Sequence, residues 1–205
     1  MNTAACVVIG ASAGGIGALI SLFSHLSPTL RLPLLIVLHI SEHRPTRLTE
    51  VFARHAARPV VFATDGTPIA PACIVIAPAG YHLLVEDETR LSLSIDPPVN
   101  HSRPSIDVLF ETAARVFGHR LVAVLLTGAS CDGQAGMRKV FEAGGRTIAQ
   151  SPEEAHSRIM PLSAIRDGSI DHVLPLASIA QLINDLDRPW NEGAQDEDSP
   201  CTHPA

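Results

Sequence analysis

Three polar residues in this sequence each follow an apolar run, and their types are those of a hydrolytic site. Ser12 lies in the pentapeptide GASAG, directly after the run CVVI. His39 follows LPLLIVL, and Asp132 follows LVAVLLT within the glycine-rich segment GASCDG. A serine hydroxyl attacks a carbonyl when a histidine takes its proton and a carboxylate orients that histidine. The three residue types therefore indicate acyl transfer by a Ser-His-Asp triad.

The turn around Ser12 favours a nucleophile over a phosphate-binding loop. A dinucleotide-binding turn has the pattern G-x-G-x-x-G, and Ser12 stands where its middle glycine would be. No lysine lies in the turn, so it does not match a P-loop either. Gly10 to Gly14 match G-x-S-x-G, in which the serine sits on a tight turn at a helix N-terminus that can stabilise an oxyanion. Ser12 could equally cap that helix, and the pentapeptide alone leaves both roles open.

His39 and Asp132 also have structural roles open to them. A histidine that ends a strand is often structural, and an aspartate before a helix is a common N-cap. In open parallel sheets, however, the carboxyl ends of the strands meet at one rim, where function gathers. Three strands would then deliver Ser12, His39 and Asp132 to the same edge, and this convergence predicts the site. The order Ser, His, Asp differs from the order Ser, Asp, His of α/β-hydrolases, so we expect a different fold.

The elements that must position these residues alternate between short β-branched runs and helical patterns. The predicted strands are Ala5–Ile9, Leu34–Leu38, Val60–Ala63, Ile74–Ala77, Leu121–Leu126 and Thr147–Ala149. The predicted helices are Gly15–His25, Thr46–Ala56, Ser105–Phe117, Gly133–Ala143, Pro161–Asp167 and Leu176–Leu186. This alternation predicts an α/β fold, a doubly wound, mostly parallel sheet with helices on both faces. Between residues 74 and 95 the period falls to two, which predicts three short strands and an antiparallel hairpin at the sheet edge.

Composition excludes several classes of protein. The chain of 205 residues is 46% hydrophobic and has a formal net charge of −6. Its 15 Lys and Arg residues form no basic stripe, so we expect no nucleic-acid partner. It has neither an apolar run of membrane length nor a signal peptide, which predicts no membrane insertion. The four cysteines show no CxxC spacing and no Cys/His cluster, which indicates no metal site and a reducing, cytoplasmic compartment.

Seven segments resemble, in order and spacing, the catalytic domain of the chemotaxis protein-glutamate methylesterases, the CheB family. They extend over about residues 4–187. The resemblance implies hydrolysis of methyl esters on glutamate side chains of bacterial chemoreceptors, often with deamidation of receptor glutamines, and it implies no cofactor. The segments are IGASAGG, VLHI, DGTPIAPACIVIAPAGYHL, PPVNHSRPSIDVLF, LLTGASCDGQAGM, AGGRTIAQ and MPLSAI.

The resemblance also assigns roles to single residues. It implies that Ser12 is the nucleophile, that His39 is the base and that Asp132 is the acid that orients His39. The implied oxyanion donors are the backbone N–H groups of Ala13 and Ala129. Three further residues resemble or adjoin family residues near the cleft, although His82 could instead pair within the hairpin and Arg103 could form a surface ion pair: His82, Arg103 and Met160.

The loop before Asp132 departs from the family pattern. Thr127 and Gly128 follow that pattern, but Ala129 replaces a methionine that lines the site. Ser130 replaces a glycine, and a serine there would be strained if the position required a positive φ. The altered loop, which ends with Cys131, puts the fit of the substrate in question.

Domain organisation and partners follow from the same comparison. Residues 1–188 are expected to form the catalytic domain, and the acidic, proline-bearing residues 189–205 a disordered tail. The chain begins on the first catalytic strand, so we expect no attached receiver domain. The expected partner is the cytoplasmic helical bundle of a methylated chemoreceptor, and a separate response regulator is a further candidate.

Three other functions remain as alternatives at this stage. One is a related esterase or amidase whose substrate is not a receptor, which the altered loop motivates. Another is a degenerate domain without activity that binds receptors or a signalling partner. The third is a nucleotide-binding domain, for which the glycine-rich turn is the only support.

Overall fold

A seven-stranded parallel sheet forms the centre of the computed structural model, which describes residues 4–40 and 47–187. Two further strands pair with each other in a separate antiparallel sheet. In chain order the strands are β1 (Cys6–Ala11), β2 (Leu34–Leu38), β3 (Val60–Phe62), β4 (Ile74–Ile76), β5 (His82–Val85), β6 (Leu91–Ser94), β7 (Leu121–Leu125), β8 (Arg146–Gln150) and β9 (His172–Leu174). The order across the large sheet is β3-β4-β2-β1-β7-β8-β9, and all its pairs are parallel.

Helices cover both faces of this sheet. They are α1 (Gly15–His25), α2 (Leu48–Ala53), α3 (Ile106–Phe117), α4 (Gln134–Glu142), α5 (Ile159–Asp167) and α6 (Leu176–Leu186). Side chains of α1, α2 and α6 pack into one core, and those of α3, α4 and α5 pack into the other. The four central strands β1, β2, β4 and β7 supply both cores because successive side chains point to opposite faces, as Val7 and Val8 of β1 do.

These observations confirm the predicted α/β architecture and the antiparallel pair. The first of the three short strands predicted between residues 74 and 95 is β4, which joins the parallel sheet. The hairpin β5–β6 is a sheet of its own that packs on α3, where the hydroxyl of Thr112 accepts the N–H of Val85 at 3.2 Å. The sequence analysis missed β9, because its three residues form no apolar run and His172 and Val173 are exposed.

The order of the strands places three of them together at the centre. From β1 the chain runs outward through β2 to β3 and β4, and it then returns to β7 on the other side of β1. This reversal is a topological switch point, and ligands of open α/β sheets bind outside the carboxyl ends of the strands at such a point. The loops after β2, β1 and β7 are therefore the ones that can share a site.

Some predictions concern segments beyond this description. The predicted tail, residues 189–205, and the cysteine at position 201 lie outside the described residues. The helix predicted over Thr46–Ala56 begins in another such segment and is described over Leu48–Ala53. Across residues 4–40 and 47–187, no helix combines the length and the hydropathy needed to cross a membrane.

Candidate active site

His39 and Asp132 form a hydrogen-bonded pair at the carboxyl edge of the sheet. Nε2 of His39 lies 2.9 Å from Oδ2 of Asp132. Because an ionised carboxylate can only accept, Nε2 carries the hydrogen and donates it. Nδ1 of the same ring then carries no hydrogen, and it makes no hydrogen bond to any residue that the structure describes. The structure thus brings two of the three predicted catalytic side chains into direct contact, although they are distant in sequence.

The carboxylate of Asp132 is completely buried and closes the N-terminus of α3. It accepts hydrogen bonds from the hydroxyl of Ser105 at 2.8 Å and from the N–H groups of Ile106 and Asp107 at 2.7 and 3.2 Å. Burial is the largest influence and raises the pKa of Asp132, but the hydrogen bonds from His39 and from the start of α3 outweigh it. The pKa of Asp132 therefore lies below the usual value for aspartate. An ionised carboxylate is the state that can orient His39 and stabilise its protonated form.

Ser12 lies one residue beyond β1, beside the end of β2. Ala11 pairs with Leu38, and the N–H of His39 donates to the carbonyl of Ala11 at 3.0 Å. Ser12 and His39 are therefore the next residues on two neighbouring strands. Within the described part of the chain, Oγ of Ser12 makes no hydrogen bond, and so none to His39. The structure places Ser12 at the rim where the pair lies, and catalytic hydrogen bonds commonly shorten only when substrate is present.

Two glycines allow the sharp turn at Ser12. Gly14 has φ +81°, in the left-handed region, and a Cβ there would also press on His156. A Cβ at Gly10 would overlap Ile106 at the start of α3. The turn leads directly into α1, whose first N–H donates to the carbonyl of Ser12 at 2.8 Å. The G-x-S-x-G pattern is thus required by close packing around the serine.

Ala13 and Ala129 present unpaired N–H groups on the two loops that meet at Ser12. The N–H of Ser12 donates to the carbonyl of Thr127 at 2.9 Å, and the hydroxyl of Thr127 donates to the carbonyl of Ala13 at 2.8 Å. Ala13 and Ala129 are both exposed. Their N–H groups have no acceptor among the residues that the structure describes. Both predicted oxyanion donors are therefore free, on loops that hydrogen bonds hold together.

Thr127 and Gly128 are fixed in place by the last residue of β8 and by residues of the segment after it. The side-chain carbonyl of Gln150 accepts the N–H of Thr127 at 2.8 Å, and the hydroxyl of Thr127 accepts the N–H of Ser157, also at 2.8 Å. Met160 is completely buried and packs on Gly128, whose carbonyl accepts the N–H of Met160 at 2.9 Å. Met160 was predicted to be a cleft residue, and the structure places it behind the loop as a support.

The replacement of glycine by Ser130 introduces no backbone strain. The non-glycine residues with positive φ in the described part of the chain are Ala72, Asn100 and His101, so Ser130 does not require the conformation that favours glycine. Its hydroxyl lies 3.4 Å from the N–H of Asp132 and can accept from it. The loop before Asp132 therefore accommodates Ser130 without an unfavourable backbone conformation.

A second buried carboxylate, Asp107, lies beside Asp132. Its two oxygens accept the N–H of Gly136 and the side-chain amide of Asn100, each at 2.7 Å. The same amide nitrogen lies 3.4 Å from Oδ1 of Asp132. Asn100 thus bridges the two carboxylates.

Asn100 reaches them from a tight turn over residues 99–102. The backbones of Val99 and Ser102 exchange two hydrogen bonds, of 3.1 and 2.8 Å. The central residues Asn100 and His101 have φ of 50° and 62°, which is the pattern of a two-residue hairpin turn with both central residues left-handed. One central side chain faces the acids, and the other, His101, lines a groove beside His39.

Asp107 gives the protein a pH-dependent stability of its own. The pKa of Asp107 is raised to about 6, mainly by burial. The hydrogen bond from the N–H of Gly136 lowers this pKa, and the charge of Asp132 raises it further. Between pH ~4 and ~6 the folded chain then binds more protons than the unfolded chain, so Asp107 lowers the free energy of unfolding as pH rises. We expect the stability of Asp107→Asn, relative to the unmodified protein, to increase by up to about 3 kcal/mol between pH ~4 and ~7.

Urea unfolding at several pH values measures this difference. Asp65→Asn is a matched control, because Asp65 also accepts a backbone N–H, that of Leu93 at 3.1 Å, but is exposed. Its stability relative to the unmodified protein should change little over the same range. If the difference in stability between Asp107→Asn and the unmodified protein did not change with pH, the raised pKa of Asp107 would be contradicted.

Two grooves open at the rim. One, of about 360 Å³, lies beside His39 and is lined by His101 and Arg103 among others. Another, of about 370 Å³, lies where Gly14, Thr127 and other residues meet. Within the described ranges, no three or more His, Cys, Asp or Glu residues are grouped so that they could hold a metal ion.

His82 and Arg103 occupy different surroundings. His82 is buried at 1% exposure, its Nδ1 accepts the N–H of Ser105 at 3.2 Å, and its Nε2 donates to the carbonyl of Pro97, also at 3.2 Å. It therefore lies outside the groove and holds the residue that in turn donates to Asp132. Arg103 lines the groove, and its Nη1 donates to the carbonyls of Ile95 and Asp96 at 2.9 and 3.2 Å.

Sequence reasoning missed the residues that hold the acid in place. Ser105 carried one signal, since a serine directly before a helix is a typical N-cap. Here its hydroxyl is turned to Asp132, and no local pattern predicts that. Asn100 and Asp107 carried no signal, because their roles arise only when α3 meets the loop after β7.

Comparisons with known proteins show which family this chain resembles. The family model described as CheB methylesterase matches residues 7–183. A relative from Leptospira interrogans is 40% identical over 182 residues, which cover 89% of this chain and 94% of the relative. The protein-glutamate methylesterase/protein-glutamine glutaminase 2 of Anaeromyxobacter dehalogenans is 39% identical over 184 residues, which cover 89% of this chain and 53% of that protein. The chain thus spans about half the length of this second relative.

A solved structure shares the fold. The crystal structure of the Thermotoga maritima CheB methylesterase catalytic domain matches with a TM-score of 0.85 and 30% sequence identity. The match covers 89% of this chain and 98% of that domain. The family model, the relatives and the solved structure therefore all point to the same family.

Proposed function

The chain belongs to the CheB methylesterase family, and we propose that it hydrolyses methyl esters on glutamate side chains of proteins. The observation that carries the proposal is the His39–Asp132 hydrogen bond of 2.9 Å at the rim where the Ser12 turn ends. The N–H groups of Ala13 and Ala129, both without an acceptor in the described residues, supply what the developing oxyanion needs. Nucleophile, base, acid and oxyanion donors are then all accounted for by this chain.

The first step is attack by Ser12. Asp132 holds the hydrogen on Nε2 of His39, so Nδ1 is the nitrogen that takes the proton from Oγ. Oγ bonds to the ester carbonyl carbon, and the negative charge moves to the carbonyl oxygen, where the N–H groups of Ala13 and Ala129 stabilise it. Such donors typically contribute about 3 kcal/mol each to lowering the barrier.

The second half of the reaction releases the acid. The protonated imidazole of His39 gives its proton to the methoxy group, the C–O bond breaks and methanol leaves a glutamyl ester on Ser12. His39 then takes a proton from water, whose oxygen attacks the glutamyl carbonyl. The bond between that carbon and Oγ of Ser12 breaks, His39 returns the proton to Oγ, and the glutamic acid leaves and ionises to the carboxylate. A glutamine amide passes through the same steps with ammonia as the leaving group, so deamidation is a second reaction open to the site.

We propose a helical segment of a methylated chemoreceptor, in its cytoplasmic bundle, as the substrate. The family resemblance suggests it, and the surface supports it. The two grooves leave the site open, and large apolar side chains are exposed near it, with Ile16 at 45%, Val99 at 38% and Ile159 at 51% exposure. Exposed apolar residues grouped around a site are typical of a protein-binding surface. A separate response regulator is a further candidate for this surface.

Release of methanol from methylated receptor tests the proposal. Incubation of the purified chain with receptor methylated in vitro should release methanol in proportion to enzyme, and receptor glutamines should release ammonia if deamidation also occurs. A serine-directed fluorophosphonate should label Ser12 in the folded protein and stop both reactions. Absence of methanol and ammonia with authentic receptors would overturn the proposed substrate, and failure to label Ser12 would favour a binding domain without activity.

A further inference from the structure

Arg103 has no ion pair among the described residues. Its guanidinium donates from Nη1 to the backbone carbonyls of Ile95 and Asp96, and those two bonds fix the orientation of the guanidinium plane. Nε is buried and has no hydrogen-bond partner in the described part of the chain. Nη2 also makes no hydrogen bond to a described residue, but it is not buried.

Arg103 lines the groove beside His39. The other lining residues are Ile40, Pro98, His101, Ser102 and Pro104. None of the lining residues that the structure describes is acidic, whereas His101 and Ser102 can donate hydrogen bonds. The groove therefore offers donors and positive charge to whatever occupies it.

We propose that Arg103 is a specificity-determining residue that binds a carboxylate of the substrate, namely an aspartate or glutamate side chain close to the methyl-esterified glutamate. A guanidinium donates short, charge-assisted hydrogen bonds to a carboxylate. Because Nη1 is committed to two carbonyls and Nε is buried, Nη2 is the donor that remains for a carboxylate in the groove. The inference rests on the proposed function, because it assigns an acidic neighbour to the esterified residue.

The glutamate carboxylate formed by the reaction is the other carboxylate that Arg103 would bind. It would reach the groove only after hydrolysis, and it would then slow turnover as product builds up. A neighbouring acidic side chain is present from the start and would instead raise kcat/KM. Substrates with and without that side chain separate the two sources.

The test compares two helical peptides, each with a single glutamate γ-methyl ester. In one, the residues within a turn on either side include glutamates, and in the other these are alanines. We expect the unmodified protein to release methanol from the acidic peptide with a kcat/KM about tenfold higher, as for a charge-assisted hydrogen-bonded pair. In Arg103→Gln the two peptides should have the same kcat/KM. Arg103→Lys should retain part of the preference, since it keeps the charge and loses the fixed guanidinium donor.

The comparison of peptides separates recognition from structure. If Arg103 only clamps the carbonyls of Ile95 and Asp96, its loss slows both peptides by the same factor and the preference survives, which would overturn the inference. Arg90→Gln is the matched control, because Arg90 lies on the β5–β6 hairpin and pairs with Asp87, and it should leave the preference at its original value.

The two levels of the proposal can fail separately. Equal hydrolysis of both peptides by the unmodified protein would overturn the role of Arg103, whatever the variants do, and would leave the esterase proposal standing. A lack of methanol release from both peptides and from methylated receptor would instead overturn the proposed function. Stronger inhibition by added product, with no preference between peptides, would assign Arg103 to the product carboxylate and contradict a neighbouring side chain.

Discussion

Replacement of Ser12 by alanine is expected to lower kcat/KM for methyl ester hydrolysis by at least about 10⁴-fold, because no other group can form the acyl-enzyme. Stability should change little, by less than about 1 kcal/mol. The hydroxyl of Ser12 makes no hydrogen bond in the described part of the chain, whereas its N–H and carbonyl make the bonds that hold the turn. The alanine variant keeps both backbone bonds.

Methanol release and thermal unfolding on the same preparation check this prediction. Ser24→Ala is a matched control, since Ser24 lies on the exposed side of α1, where its hydroxyl donates to the carbonyl of Ser21 at 2.8 Å and lies 3.3 Å from Nδ1 of His25. It should retain full activity. Substantial hydrolysis by Ser12→Ala, at more than about one hundredth of the original rate, would exclude Ser12 as the nucleophile.

Replacement of Asp132 by alanine should damage both catalysis and folding. Without the carboxylate, His39 loses the partner that fixes its tautomer, and a loss of about 10⁴-fold in kcat follows for an acid in this role. The hydroxyl of Ser105 and the first N–H groups of α3 also lose their acceptor while buried. At about 1–3 kcal/mol for each stranded donor, we expect a loss of stability of about 3 kcal/mol or more.

His39→Ala is the matched comparison for this second prediction. It removes the same hydrogen bond between residues 39 and 132 and the same catalytic step. It keeps the hydrogen bonds between Asp132 and the N–H groups at the start of α3. Both variants should be inactive, and Asp132→Ala should unfold at clearly lower denaturant concentration. Equal stability of the two would show that the N-terminus of α3 does not depend on Asp132.

The lowered pKa of Asp132 also predicts how the stability of the unmodified protein and of Asp132→Ala depends on pH. Its contribution to stability is complete above the unfolded pKa, near ~4, and is lost as pH falls through the lower folded pKa. The unmodified protein should therefore lose stability in acid more steeply than Asp132→Ala.

The location of the three candidate catalytic residues in the fold could be predicted from sequence because each follows a buried strand. A short apolar run followed by Ser12 or His39 indicates the carboxyl end of a parallel strand, and the rule that such ends share a rim needs no knowledge of distances. The neighbours β2, β1 and β7 then supply the three side chains or the loops that carry them.

The parts that sequence could not supply depend on contacts between distant segments. Asn100 acts through a turn whose positive φ values are visible only in the backbone, and Asp107 acts through a carboxylate far along the chain. His82 has the residue type of a catalytic group, yet its two ring nitrogens are both used to hold backbone atoms. A short strand such as β9 is formed mainly by its neighbour β8, because its own residues are largely exposed.

The turn over residues 99–102 limits how this enzyme can diverge. Asn100 holds the acids while its neighbour His101 faces the groove, and Arg103 follows two residues later. A lineage that exchanged this segment to accept a new target would disturb the proton-transfer machinery in the same step. Target choice and turnover are therefore inherited together. New preferences should arise more readily through the other groove, at Gly14 and His156, whose lining does not include Asp132 or its partners.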